Sequence, residues 1–531
     1  MGVDALSVPI VTERPAARAD RPADLGPLTR RASLNAIAGL LAYGVKIGVT
    51  LAVTPILVSG LGRSLFGVWE MLMRLGGYVT AADGRPTEAL RLLVAQRQAD
   101  GDHAANRRNV GAALAVWALL LPLVLCVGAV LVWVAPKLTN VPSDLTTPVR
   151  IATALLALNF MLVSLGSVPE SVLRGMNLGY TRMGLQAVLY LIGGGLAAGA
   201  VLAGLGLTGL ASAQVIQASA TALCFLLLVR TYVKWFGADR PRWPEIKSLF
   251  GMSVWLSAGN VVAMVLLASD VVILGAVVGP ALVTSYVLTG YAARTAVGLH
   301  IFAADAAIPG VGGLLGTSQL DRATRVREEL LTLTWLFVTA VGATILVWNR
   351  PFLSLWVGAE HYAGVWVNLL IVLLAVQTSF IRVDAYIIDA ALRPRQRVVV
   401  GAVAAAVTIA LTIPLTWAFG IIGMCAGLLV GRAIQSVAYP LLARASLGRY
   451  PRPLVTPLRA MRLTVVTALL FGVAVVAGET IATPRPLVWI AGAPLTLVSS
   501  AGIALLAGPT ADVRTMLSRR LRMLLRGGRP R

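Results

Sequence analysis

The chain has 531 residues, 57% of them hydrophobic and only 13% charged, where soluble domains carry about 25% charged residues. A chain this apolar would precipitate in water, which excludes an ordinary soluble protein and points to a polytopic membrane protein. The formal net charge of +22 raises the question of nucleic acid, which the distribution of the cations answers below.

Residues 1–33 are rich in Pro, Ala, Arg and Asp, with no apolar run long enough for a signal peptide. They read as a disordered cytoplasmic arm. From there about fourteen apolar windows, each near the length a bilayer-spanning helix needs, follow one another. They fall near 34–60, 64–83, 109–135, 149–171, 182–204, 208–231, 250–278, 281–307, 330–348, 365–390, 398–418, 420–441, 461–479 and 486–508. The second window is expected to continue as helix into the amphipathic "EALRLLVAQRQ". The expected fold class is therefore all-α and multi-pass.

With the N-terminus inside, Lys and Arg crowd every second connecting segment. The inside segments run from Arg14 to Arg31, through Arg85, Arg108, Arg174, Arg242, Arg327 and Arg397, to the tail at 510–531. Only Arg63, Lys137, Arg150, Arg350 and Arg485 fall outside. This bias is what orients membrane helices. It predicts an even helix count with both ends cytoplasmic, and it accounts for the positive charge as topology plus contact with anionic lipid rather than nucleic acid. Trp133, Trp235, Trp348, Trp356 and Trp489 lie near window ends and read as interfacial anchors. Cys126, Cys224 and Cys425 read as small buried hydrophobes.

Six windows return the chain to its starting side, so a duplication would begin with the seventh. Two traces support one. "AADGRP" at 81–86 resembles "AADAAIP" at 303–309, aligning Asp83 with Asp305 and Pro86 with Pro309. Gly62 and Gly279 each precede the second helix of their half. Such halves would be related by an axis along the membrane normal, with cargo between them near the midplane.

At these residues the pattern becomes a resemblance. "GLGRSLFGVWEML" (60–72) resembles the segment between the first two helices of bacterial polysaccharide flippases. "AADGRPTEALRLLVAQRQADGD" (81–102) is similar to the end of their second helix. "ASDVVILGAVVGPALVTSYVL" (268–288) resembles the start of their second half, and "FLSLWVGAEHYAGVWVNLLIVLLA" (352–375) their segment between helices 9 and 10. The family is the Wzx-like branch of the multidrug/oligosaccharidyl-lipid/polysaccharide exporter superfamily. The resemblance implies two six-helix lobes in a V, over 34–232 and 250–445, joined by a cytoplasmic linker at 233–249. Two further helices over 446–509 and a basic tail at 510–531 would follow. It also implies a transporter in the bacterial inner membrane that moves polyprenyl-pyrophosphate-linked oligosaccharide from the cytoplasmic to the outer leaflet. A polysaccharide polymerase and chain-length proteins would be partners. Three alternatives stand beside this reading: a drug/cation antiporter of the same superfamily, a lipid II flippase, and an integral membrane glycan transferase or polymerase. No Walker motif, Ser/His/Asp set or clustered metal ligands stand out, so neither catalysis nor a cofactor is expected.

Charges inside the membrane cost roughly 2.5–3.5 kcal/mol each on insertion scales and usually face a cavity or a partner. Lys46, Arg74 and Arg294 lie in helices that line the cleft in the implied architecture. Three bases there would suit a pyrophosphate, since Arg binds phosphate oxygens with a planar fork. Arg74 has the competing reading of a closed i, i+4 pair with Glu70, and Lys46 that of a tie to Glu70 or Asp270. Asp83, Asp270 and Asp305 are candidates for coupling or, with a basic partner, for structure. Arg382 and Asp384 are candidate gate residues. Arg432, near a helix end, reads as snorkelling. Pro55 and Pro169 are candidate kinks.

Overall fold

The computed structural model describes residues 25–96, 102–176, 178, 181, 183–305, 308–391, 394–448, 457–481 and 485–508. The elements are α1 (Leu25–Ala82), α2 (Pro86–Gln96), α3 (His103–Leu138), α4 (Thr146–Gly175), α5 (Met183–Leu202) and α6 (Gly206–Tyr232). Then come α7 (Trp243–Val277), α8 (Pro280–Thr289), α9 (Tyr291–Asp305), α10 (Ile308–Gly316), α11 (Leu320–Trp356) and α12 (Val365–Ala390). The last are α13 (Pro394–Ser446), α14 (Pro457–Thr480) and α15 (Pro486–Ala507). Among the described residues ten helices are long and apolar enough to cross a membrane. Several cover two of the sequence windows. α1 breaks at Gly62 (φ 75°, ψ 169°) and α13 at Gly420 (φ 58°, ψ −135°), and each limb matches one window. α8 and α9 together fill the window at 281–307, interrupted at Gly290.

The two halves repeat one order of elements. A long helix reaches a positive-φ glycine, Gly62 in one half and Gly279 (φ 121°) in the other. A shorter limb follows, then a short helix (α2 or α10), then a long helix (α3 or α11). A 3₁₀ turn comes next, Ser143–Leu145 or Ala359–His361, before the remaining helices. Only glycine enters these backbone regions without strain, so the chain turns at the same place in both halves.

α1 to α6 form one lobe, in which α4 packs on α6 and α1 on α5. α7 to α13 form the other, in which α12 packs on α13 and α11. α14 and α15 lie on α11, tied by hydrogen bonds from Trp335 to Thr467 (3.0 Å), from Trp348 to Thr496 (2.8 Å) and from Ser500 to the Ala340 carbonyl (3.2 Å).

Several expectations change. Helix α1 starts at Leu25, within the arm expected over 1–33, and residues 1–24 and 509–531 lie outside the described residues. Helix α2 is not a continuation of the second window. Gly84 (φ 76°) and Arg85 (φ 48°) break the helix after Ala82. Helix α7 begins at Trp243, inside the segment expected to be linker. Its first turns pack on the first lobe, where Leu249, Ile246 and Phe250 join Leu90, Val94 and Val172. Pro55, Pro169 and Pro414 sit inside helices, and the non-helical φ/ψ in α1 and α13 fall at Gly62 and Gly420 instead. Trp348 is buried, and Trp356 packs between the lobes, so neither is an interfacial anchor. Cys126 is exposed on the outer surface of α3 rather than buried.

Candidate functional site: a cationic seam between the lobes

The lobes meet along a seam formed by α1 on one side and α7, α8 and α9 on the other. At the end marked by Gly62 and Gly279 the seam is sealed. Arg63, just past its break, donates through Nη2 to Ser285 Oγ (2.6 Å) and through Nε to the Ala281 carbonyl (3.2 Å). Thr284 Oγ1 donates back to the Arg63 carbonyl (2.6 Å). Asn140 Nδ2 reaches the Ala276 carbonyl (3.0 Å). Gly67 lies so close to Pro280 that a Cβ would overlap the proline carbonyl. Beneath this seal one apolar cluster holds Leu61, Leu65 and Phe66 of the first lobe together with Leu353, Phe352 and Trp356 of the second. At the opposite, Arg-rich end the cores are separate. One lies in the first lobe and takes in the start of α7; the other is built from α10 to α13.

Lys46, Arg74 and Arg294 stand roughly 24, 18 and 22 Å along their helices from Gly62 or Gly279, at 1.5 Å per residue. They therefore form one layer within the membrane. Lys46 and Arg74 also occupy seam-facing helix surfaces. On α1, Tyr43 donates from its hydroxyl to the Thr295 carbonyl of α9 (3.2 Å), and Gly39 abuts Phe302. Lys46 follows one turn after Tyr43 on that stripe and is exposed. In the second limb of α1, Met71 packs on Gly275, and Tyr78 lies within electrostatic reach of Asp270. Arg74, half-buried, is between them on the same face.

The pairing is decided by these positions. Among the described residues Glu70 and Arg74 form no ion pair within 4.0 Å, so the closed i, i+4 pair is absent. Lys46 likewise pairs with neither Glu70 nor Asp270. Arg294 folds back over the Tyr286 ring, 5.3 Å from its centroid, and donates to the Val287 carbonyl at the end of α8. It thus satisfies a backbone acceptor freed by the break at Gly290. Asp270 is buried and accepts from the Tyr286 hydroxyl (2.8 Å). Arg432 does not snorkel. It is buried, and its guanidinium donates to Thr378 Oγ1 (3.2 Å) and to the Leu266 carbonyl, where α7 bends by 45°. Arg382 lies half-buried beside Arg432 with no carboxylate bound to it among the described residues.

Two other candidates sit inside a lobe. Asp83 is buried and accepts from the Arg85 amide (2.8 Å) and from Ser164 Oγ (2.6 Å), which in turn accepts from Trp117 Nε1 (3.2 Å). Asp384 is buried against Arg327, with Nη2 at 2.5 Å and Nε at 2.7 Å. Arg327, read from the sequence as part of a basic connecting segment, is only 2% exposed. The Asp305 side chain lies outside the described residues, although the residue ends α9. Sequence reasoning missed the roles of Arg63, Ser285 and Tyr286. Nothing local marks them, because each gains its role from a helix in the other half or across a break.

Comparisons with known proteins agree with this architecture. The family model described as "Polysaccharide biosynthesis protein" matches residues 107–301. No curated protein sequence matches the chain. A structure of the lipid II flippase MurJ in an inward closed conformation superposes with a TM-score of 0.64 at 12% identity, covering 89% of this chain and 97% of MurJ. A eukaryotic MATE transporter gives 0.58 at 15% identity, covering 79% and 98%. An inward-facing multidrug resistance MATE transporter of the MOP superfamily gives 0.58 at 13%, covering 77% and 96%. The chain therefore has the multi-pass fold that MATE transporters and MurJ share, and it matches the polysaccharide biosynthesis family model over 107–301.

Proposed function

We propose that this protein flips a polyprenyl-pyrophosphate-linked oligosaccharide across the bacterial inner membrane by alternating access through the seam. Lys46, Arg74 and Arg294 at one depth, none with a carboxylate partner among the described residues, carry this reading. Cations left unneutralised inside a membrane are costly, and an anionic headgroup between the lobes would supply the missing charge. Arg74 and Arg294 offer forked donors to phosphate oxygens, and Lys46 adds a point charge. The Arg-rich end faces the cytoplasm under the positive-inside rule. The end sealed by Arg63 then faces outward, which suits entry of cargo from the cytoplasmic leaflet. Reversal of access requires that seal to part. Glu70, one turn from Arg74 but not paired with it, and the buried Asp270 are the candidates for coupling.

The test is Lys46→Glu and Arg74→Glu in cells that make a surface polysaccharide. Both variants are expected to reach normal membrane levels, to lose surface polysaccharide and to accumulate the lipid-linked intermediate on the cytoplasmic side. Normal polysaccharide from well-expressed variants would sink the assignment. A lipid II cargo shares the same pyrophosphate chemistry, and assaying both lipids in proteoliposomes separates the two.

A further inference from the structure

The cationic layer accounts for a pyrophosphate but leaves the sugar beyond it without a contact. Beside Lys46 the seam carries a second chemistry. Tyr291 of α9 packs on Trp356 of α11, with ring centroids 4.7 Å apart and planes tilted by 44°. Trp356 is fixed by its Nε1, which donates to the Leu51 carbonyl of α1 (2.7 Å). Phe352 stacks behind it at 5.1 Å. The Tyr291 hydroxyl lies beside Thr50 of α1 and Thr295 of α9. Thr50 is one turn beyond Lys46 on the same helix face. Tyr291, Trp356 and Thr50 are half-buried, and Lys46 is exposed. An exposed lysine at this depth facing lipid would be expensive, so this stretch of the seam is a polar opening lined on one side by an aromatic pair. Saccharides combine an apolar C–H face with a rim of hydroxyls. A fixed aromatic face with flanking hydroxyls is complementary to both.

We propose that Tyr291, backed by Trp356 and flanked by Thr50, is the platform for the sugar that carries the pyrophosphate, and so sets which glycan the protein accepts. This rests on the flippase reading above and adds a saccharide subsite to it. Lys46, Arg74 and Arg294 hold charge common to every lipid pyrophosphate. The aromatic subsite sees only the glycan.

Binding of two probes to the full chain in nanodiscs tests this. One probe is bare undecaprenyl pyrophosphate. The other is the lipid-linked repeat unit extracted from cells lacking this protein. Tyr291→Leu is expected to weaken the glycolipid about tenfold and to leave the bare pyrophosphate lipid within about twofold. Lys46→Gln weakens both. Thr50→Val keeps the side-chain shape, guards against a folding defect at Tyr291, and is expected to weaken only the glycolipid, by about threefold. Loss of both probes alike in Tyr291→Leu and Thr50→Val, or of neither, overturns the saccharide subsite and leaves the flippase reading standing. A wild-type protein that binds neither probe overturns both.

Discussion

The two lobes follow one order of elements but use their intramembrane charges differently. In the second lobe the intramembrane cations other than Arg382 are engaged internally. Arg327 pairs with Asp384, Arg397 with Asp389 (2.8 Å), and Arg294 and Arg432 hold backbone carbonyls at the break after α8 and at the bend in α7. In the first lobe the side chains of Lys46 and Arg74 have neither hydrogen bond nor ion pair among the described residues, while the buried acid, Asp83, is satisfied by a serine and an amide. A duplicated framework thus shows where charge serves the fold and where it is left for something outside the chain. Arg294 stands between the two cases: at a depth similar to that of Lys46 it holds a backbone carbonyl through Nη2, while its Nε and Nη1 have no hydrogen-bond partner among the described residues.

Breaking the internal pair should have the largest effect on folding. Arg327→Ala or Asp384→Ala strands a buried charge and is expected to cost about 3–5 kcal/mol, read as lost membrane yield and a lowered unfolding temperature in detergent. The double variant Arg327→Met/Asp384→Leu should recover most of that stability, because it removes both charges. If the single variants are as stable as wild type, the pair is not what holds α11 to α12. Next come the cations compared directly. Arg432→Gln should destabilise by about 1–3 kcal/mol, since the Leu266 carbonyl and Thr378 lose a charged donor. Arg74→Gln should change stability by no more than about 0.5 kcal/mol yet lower transport at least about tenfold. Equal stability losses for the two would erase the contrast between the lobes.

The seal between the lobes should respond more mildly. Arg63→Ala removes the bonds to Ser285 and Ala281, and about 1–2 kcal/mol of the closed arrangement with them. A spin label on each side of Gly62 and Gly279 should then report a broader, longer distance distribution. An unchanged distribution would show that the apolar cluster alone keeps this end shut.

The smallest effect is electrostatic and lies at the Arg-rich end. Glu245 caps α7, accepting from the Arg242 amide (2.8 Å), and binds Arg108 Nε (2.8 Å). Partial burial pushes its carboxyl up, but the Arg242 amide and the Arg108 guanidinium outweigh that and hold it below the ordinary glutamate value. A depressed carboxylate stabilises above its unfolded value and loses that contribution as pH falls through its folded one. The difference in unfolding temperature between wild type and Glu245→Gln should therefore be present near neutral pH. It should shrink below about pH 4.5 and vanish at lower pH. A difference independent of pH would mean the contact does not depend on the charge.

Much of this molecule was legible in its sequence because the signals are local. Apolar length marks spans, clustered arginine marks one end, and Gly62, Gly279 and "AADGRP" with "AADAAIP" mark a repeat. The order of spans and the candidates Lys46, Arg74 and Arg294 followed from these, as did the resemblance. Pairing was not legible. Arg327 and Asp384 are 57 residues apart, and Arg63 meets Ser285 across 222. The nearest opposite charge in sequence, Glu70 beside Arg74, turned out not to be the partner. Membrane insertion reads hydropathy one segment at a time, so the sequence by itself determined which segments enter the bilayer. Which of their charges neutralise one another depends on helices brought together across the whole chain, and only the tertiary structure decided that.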